Sequence, residues 1–242
     1  KSSQIPYEMV CGGTIDSGEM IELFDIALAT ADVAGFAKRK AVSAENGKLR
    51  GIGFGMYLEQ CGNGADDGVD IEFQGDGRII VHGSQQCNGQ GHQTTVTQIL
   101  SDRLGYDADL ITVKQGDSNR SPRGTTGGAR MTAVLGSATA FAAAKIIDLA
   151  KPFAAEVLEC NEDDLNFTDG LFLRQDTNRS IAIEDLIRQL AISGERHRLN
   201  WAQPYETDGA TYPYGCHIIE LEIDRQTCAV DITSYHVVDD FG

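Results

Sequence analysis

Val69-Asp70-Ile71-Glu72-Phe73-Gln74-Gly75-Asp76-Gly77-Arg78-Ile79-Ile80-Val81 is the stretch that decides the fold. Apolar residues alternate through Val69, Ile71 and Phe73, the chain turns at Gly75-Asp76-Gly77, and alternation resumes with Ile79 and Val81. Period two on both sides of a glycine-rich turn predicts a β-hairpin. The returning strand runs into Gly89-Gln90-Gly91-His92-Gln93-Thr94-Thr95, a glycine loop. Beyond it Val96, Ile99, Leu100 and Leu104 share one face of a helix over residues 95–104, and residues 109–114 read as another strand.

Working outward, residues 19–44 place Ile21, Leu23, Phe24, Ala27, Leu28, Ala31 and Phe36 at mostly helical spacing, interrupted near Gly35, which predicts one or two helices. The cluster Lys38-Arg39-Lys40 reads as a solvated helix flank. Residues 48–59 form an apolar run with glycine at positions 51, 53 and 55, the pattern of a strand closely approached by another backbone. A dinucleotide fingerprint is disfavoured there, because the third glycine is misplaced and no helix follows.

Downstream, a second loop, residues 121–132, contains Gly124, Thr125, Thr126, Gly127, Gly128, Ala129, Arg130, Met131 and Thr132. It feeds a long helix rich in small residues, which Pro152 is expected to break in two. A short hairpin is expected around Asp169-Gly170, then a helix over residues 183–191 and a polar connection through Trp201. A closing hairpin follows, His217 to Asp224 and Val230 to Val238. Hairpins outnumber crossover units, so the predicted fold class is α+β: two-layer sandwich units with helices packed on mixed, hairpin-rich β-sheets. Two packed parts with a boundary near residues 151–161 are expected.

Composition narrows the partners. Thirty-six Asp and Glu against 20 Lys and Arg give a formal charge of −16, which repels a phosphate backbone and disfavours nucleic acid. The longest nearly apolar stretch, residues 131–144, falls short of the ~20 residues that cross a bilayer, so no span is expected. The N-terminus has no apolar signal core and reads as a chain entered part-way. Cys11, Cys61, Cys87, Cys160, Cys216 and Cys228 are widely spaced. They form no Cys-x-x-Cys pair, which suits free structural thiols in a reducing cytoplasm and gives no framework for an iron-sulfur cluster.

Both glycine loops leave a strand region and open a helix, an arrangement that points backbone N–H groups at an anion. The helix dipole adds only ~0.3–1 kcal/mol at an exposed end, so tight binding needs further donors. The first loop offers Gln90, His92, Gln93, Thr94 and Thr95, the last two also suited to capping. The second offers Thr125, Thr126, Arg130 and Thr132. The competing reading gives each loop only a turn or cap, or makes the chain a non-catalytic anion- or nucleotide-binding or assembly module. Cys87 with His92, and Cys216 with His217, lack a full ligand set, so no metal ligand is assigned. Glu59, Glu220 and Glu222, on hairpin strands, read as exposed or rim charges. His197, between Arg196 and Arg198, reads as a solvated loop residue.

Gly89-Gln90-Gly91-His92-Gln93-Thr94, Gln115-Gly116-Asp117-Ser118, Gly124-Thr125-Thr126-Gly127-Gly128-Ala129-Arg130 and Tyr212-Pro213-Tyr214-Gly215-Cys216-His217-Ile218-Ile219-Glu220-Leu221-Glu222-Ile223-Asp224 occur in that order. Together they resemble successive motifs of the molybdenum hydroxylase large subunits, the family of xanthine dehydrogenase, aldehyde oxidase and carbon monoxide dehydrogenase. Residues 14–19 and 48–53 also fit. The resemblance implies a fragment of a molybdopterin-binding region, in which Gly89, Gln90, Gly91, His92, Gln93 and Thr94 lie beside the pterin. Gly127, Gly128, Ala129, Arg130, Met131 and Thr132 would hold the pyrophosphate and nucleotide end. It further implies molybdopterin cytosine dinucleotide carrying molybdenum, with FAD and 2Fe-2S centres on other subunits or domains.

Gln93 stands where many relatives carry an acidic residue, Ala129 where they commonly carry Ser, and Cys228 where the closing turn commonly carries Gly. The family's metal-activating Glu is expected downstream of Gly242 and its substrate loop upstream of Lys1. No catalytic residue is therefore assigned, and the fragment alone is expected to be inactive.

Overall fold

The computed structural model describes residues 4–10, 12–62, 67–84, 86–117, 119–120, 124–175, 177–207 and 209–241. Cys11, Ser118, residues 121–123 of the second loop and the extreme termini lie outside the described residues. Two compact units are present, one made of Lys1–Cys61 and Ala210–Gly242, the other of Gly62–Gly209. The division therefore falls at 61/62 and 209/210, away from residues 151–161.

The discontinuous unit starts with β1 (Tyr7–Glu8) paired to β2 (Thr14–Ile15), followed by α1 (Met20–Thr30), α2 (Phe36–Glu45) and β3 (Lys48–Leu58). A single 3-10 turn, Val33–Gly35, separates the helices where the periodicity broke. Asp32 initiates it by accepting the Gly35 N–H at 3.2 Å.

The continuous unit carries β4 (Asp67–Phe73), β5 (Ile79–Gly83), α3 (His92–Leu104), β6 (Ile111–Gln115) and α4 (Met131–Leu158). It goes on through β7 (Leu165–Thr168), β8 (Leu171–Arg174), β9 (Ser180–Ala182), α5 (Ile183–Ser193) and β10 (Trp201–Tyr205). The chain then returns to the first unit with β11 (Tyr214–Asp224) and β12 (Val230–Asp240).

In the continuous unit the main sheet has the order β10-β4-β5-β6. The predicted β4–β5 hairpin is antiparallel, whereas β5 and β6 run parallel, joined across α3. Period two buries Val69, Ile71, Phe73, Ile79 and Val81 against Val96, Leu100 and Leu104 of α3 and Ala142, Ala143 and Ile146 of α4. Fully burying side chains of this size contributes roughly 1.5–3 kcal/mol each. The C-terminal Gly105 of α3 (φ +59°) abuts the β7–β8 turn. A Cβ there would stand 2.4 Å from the Gly170 backbone, so only glycine fits.

Three sequence expectations are corrected here. First, α4 runs unbroken through Pro152. The carbonyl that loses its donor belongs to Asp148, which is exposed like Pro152 itself and so open to solvent, while Ala150, Ala154 and Ala155 stay packed. Second, the polar connection through Trp201 is the edge strand β10, antiparallel to β4 in the register Trp201↔Ile71, and Pro204 is tolerated there because an edge strand has one unpaired side. Third, α3 begins at His92, three residues before its expected start. By length and composition α4 could cross a membrane, but half of its apolar window is buried inside the protein, where it forms the core helix.

In the discontinuous unit the antiparallel sheet has the order β12-β11-β3. Leu23 and Ala27 of α1, with Ala31 just after it, pack on Tyr214, Cys216 and Ile218 of β11. Glu220 and Glu222 alternate onto the same face as these, which corrects their assignment as rim charges. Glu220 is 2% exposed, accepting Arg50 Nε at 2.7 Å and Arg39 Nε at 3.2 Å. Glu222 accepts Lys48 Nζ at 2.8 Å and Ser43 Oγ at 2.6 Å. The side-chain hydrogen bond from Arg39, with Arg50 beside it, holds the Glu220 carboxyl below its ordinary range against the opposing effect of burial. Lys48 does the same for Glu222. Arg39 thus leaves the solvated flank, while Lys38, Lys40 and Glu59 remain exposed as expected. His197 is also exposed, in the short 3-10 turn Arg196–Leu199.

Candidate cofactor site

The parallel pair β5–β6 fixes where chemistry can gather. Both strands end at one edge of the sheet, at Gly83 and Gln115, which are register partners. Each then feeds a glycine loop that opens a helix: residues 84–91 lead into α3, and residues 116–130 into α4. Ligands of α/β units collect at such carboxyl edges because the helix starts present free N–H groups there.

Neither helix start is closed by a side chain. The N-cap of α3 is Gly91 in the left-handed region (φ +76°), and that of α4 is Arg130. Thr95, expected as a cap, instead donates its hydroxyl back to the Gly91 carbonyl at 3.3 Å, and Thr94 sits exposed in the first turn. The first intrahelical donors are Thr95 N–H to Gly91 and Val134 N–H to Arg130. The N–H groups of His92, Gln93 and Thr94, and of Met131, Thr132 and Ala133, therefore have no helical acceptor.

The loops are tied together. The Thr126 hydroxyl donates to the Gln86 carbonyl at 3.0 Å, and further along the helices Ile99 meets Gly136, where a Cβ would stand 3.3 Å from its Cδ1. Under the second loop Arg130 is 7% exposed; it donates to the Thr125 hydroxyl at 3.2 Å and lies 3.7 Å from the buried Asp67 carboxylate. Asp67 also accepts the Ser84 hydroxyl at 2.6 Å. Arg130, expected among the ligand contacts, is tied beneath the loop through Thr125 and Asp67, and Asp67 and Ser84 were not expected at all. Their signal was position: each lies at an end of β4 or β5, on the edge where the loops start.

Gln90 is exposed, with its Oε1 accepting the Asn88 N–H at 2.6 Å and bracing the loop. Gln93 reaches the Val113 carbonyl at 3.5 Å. Gly127, Gly128 and Ala129 are exposed, and Ala129 adopts φ +49°, a conformation that L residues seldom take. Nothing stands within 4 Å of a Cβ built on Gly89, Gly91, Gly127 or Gly128, so the cradle is open.

Two observations test whether an anionic, hydrogen-bonding cofactor suits this cradle. Buried Nδ1 of His92, and Nε2 and Oε1 of Gln115, have no hydrogen-bond partner among the described residues, although buried polar atoms are ordinarily satisfied. The backbone N–H of His92, with those of Gly89, Gly91 and Gln90, also holds the Cys87 thiol below its usual range, so the loop already favours negative charge. The residues fit. Among the described residues no group of three or more His, Cys, Asp or Glu is placed to hold a metal ion.

Comparison with known proteins gives the arrangement its place. Residues 27–242 match the molybdopterin cofactor-binding domain family. The chain belongs to that family. It is 30% identical to the carbon monoxide dehydrogenase large chain of Hydrogenophaga pseudoflava, over 100% of this chain and 32% of that protein. It is 26% identical to the gamma subunit of the 6-hydroxypseudooxynicotine dehydrogenase complex of Paenarthrobacter nicotinovorans, over 88% of this chain and 28% of that one. The solved Cu,Mo-CO dehydrogenase in its carbon-monoxide-reduced state superposes with a TM-score of 0.88 at 25% identity, covering 99% of this chain and 33% of the other. Quinoline 2-oxidoreductase from Pseudomonas putida 86 shares the fold at 22% identity and a TM-score of 0.87. This molybdopterin cofactor-binding domain spans about a third of the length of the relatives it matches.

Proposed function

We propose that this chain is the cofactor-gripping part of a molybdenum hydroxylase large subunit, an oxidoreductase that oxidises an aldehyde, an N-heterocycle or carbon monoxide with oxygen derived from water. The observation that carries the reading is the pair of tethered, uncapped helix starts at the carboxyl edge of β5 and β6. In this reading the N–H groups of Gln93 and Thr94, with the Gln90 amide and the loop formed by Gly89, Gly91 and His92, hold the pterin side. Gly127, Gly128, Ala129 and the N–H groups of Met131 and Thr132 hold the phosphates, and Arg130 keeps their loop in place through Thr125 and Asp67. Bound as molybdopterin cytosine dinucleotide, the cofactor supplies the molybdenum centre at which substrate is oxidised. FAD and 2Fe-2S centres on other subunits or domains would take up the electrons, in an assembly that would work in the cytoplasm.

The test separates loop bracing from ligand donation. Gln90→Glu keeps an oxygen for the Asn88 N–H but removes the amide donor and adds charge beside an anionic ligand. In the full-length subunit from a molybdenum-replete host, its molybdenum and pterin content should fall roughly tenfold or more with little change in thermal stability. Glu45→Ala, on the exposed end of α2, should leave both unchanged. Full cofactor content in the Gln90 variant would overturn the site. The 242-residue chain alone should be inactive and hold no stoichiometric molybdenum.

A further inference from the structure

The sheet β12-β11-β3 has two unlike faces. On β11 the face bearing Tyr214, Cys216 and Ile218 is covered by helix, while Phe54 and Met56 beside them on β3 stay half exposed. Pairing places Gly51, Gly53 and Gly55 on the other face, opposite Leu221, Ile219 and His217, which in turn face Ile232, Tyr235 and Val237. Ile232, Tyr235 and Val237 are 62%, 55% and 45% exposed, so a continuous apolar surface stands open beside a stripe without side chains. Nothing lies within 4 Å of a Cβ on Gly51 or Gly55, and only Ile219 Cγ2, at 3.5 Å, meets one on Gly53.

Glycine inside a strand weakens it unless something approaches closely, and monomeric proteins rarely leave apolar patches of this kind uncovered. Three glycines on one face of one strand, with the space above them empty, describe a groove shaped for another backbone. The relatives that share this fold over almost the whole chain are about three times as long. From these observations we infer that the open face of this sheet is the seat of the remaining part of the same large chain, which lays an extended apolar segment along the Gly51-Gly53-Gly55 stripe. The inference rests on the functional reading only in taking the parent to be a longer large chain.

The experiment uses the full-length subunit carrying Ile232→Cys or Val237→Cys, labelled with a maleimide and read by peptide mass spectrometry. Labelling should be roughly tenfold or more slower in the native protein than in urea, and independent of protein concentration. Native labelling within about twofold of the urea rate would overturn the inference. Protection that appears only as concentration rises would overturn it in favour of a second copy. Gly53→Val, which meets only Ile219 within this chain, should raise Val237→Cys labelling roughly tenfold by filling the groove, and an unchanged rate would remove the close-approach claim. A subunit that protected this face but bound no pterin would overturn the functional reading alone.

Discussion

The two units bury their interiors by different means. The continuous unit, Gly62–Gly209, closes on a large, almost wholly apolar core in which Ile71, Ile79, Val81, Leu100 and Ile146 are fully buried. The discontinuous unit has a small apolar cluster of six buried residues, continued by charges: Glu220 and Glu222 held by Arg39, Arg50, Lys48 and Ser43. The open cradle belongs to the unit with the stronger core, as expected where ligand groups must be held without collapse of the loops around them. Stability in one unit follows packing, and in the other it also follows charge.

Four perturbations separate these behaviours, each read by peptide-resolved hydrogen exchange so that either unit is followed on its own. The largest effect belongs to Leu100→Ala, which empties a fully buried site and should cost about 3–4 kcal/mol in the continuous unit. A loss confined to the other unit would break the comparison. Next, Glu220→Ala leaves two guanidinium groups facing each other without their shared carboxylate. It should weaken the discontinuous unit by roughly 2–3 kcal/mol, below a fully buried pair because both arginines are partly solvated.

The third concerns pH. The folded carboxyls of Glu220 and Glu222 titrate below their ordinary value of 4.5, so the unfolded chain binds their protons first as acid is added. The stability they provide is complete above that value and is lost as pH falls through it toward the lower folded values. Protection in the discontinuous unit, measured relative to intrinsic exchange at each pH, should fall over that window, and Glu220→Gln should flatten the change. An equal acid response in the variant would remove these carboxylates as its cause. The smallest effect is a gain: Cys228 sits in the β11–β12 turn at φ +59°, and Cys228→Gly should stabilise that hairpin by about 0.5 kcal/mol, visible as slower exchange at the turn.

What the sequence revealed was mainly local. The β4–β5 and β11–β12 hairpins, the break between α1 and α2 and the two glycine loops all rest on period, turn residues and spacing within a few residues, and all appear in the structure. Long-range pairing was invisible. Nothing in Lys48 to Leu58 announces that its partner is β11, so Arg50 and Glu222 could not be seen as direct neighbours. Parity alone already put Glu220 with Cys216 and Ile218, a sign of burial that its charge concealed.

The cradle shows the same division. Its glycines and helix starts were legible, but the buried latch of Asp67, Ser84 and Arg130 depends on three segments meeting at one sheet edge. The Thr95 cap failed because Gly91, free to turn left-handed, starts the helix early and leaves the hydroxyl inside the first turn.

The central claim is that two loops of one unit grip one cofactor. Amide exchange across residues 89–94 and 127–132 of the full-length subunit, compared with and without its molybdenum cofactor, tests it most directly. The account predicts that both segments slow together when the cofactor is present, while β11 and β12 stay unchanged. Slowing of one segment alone, or of neither, would contradict it.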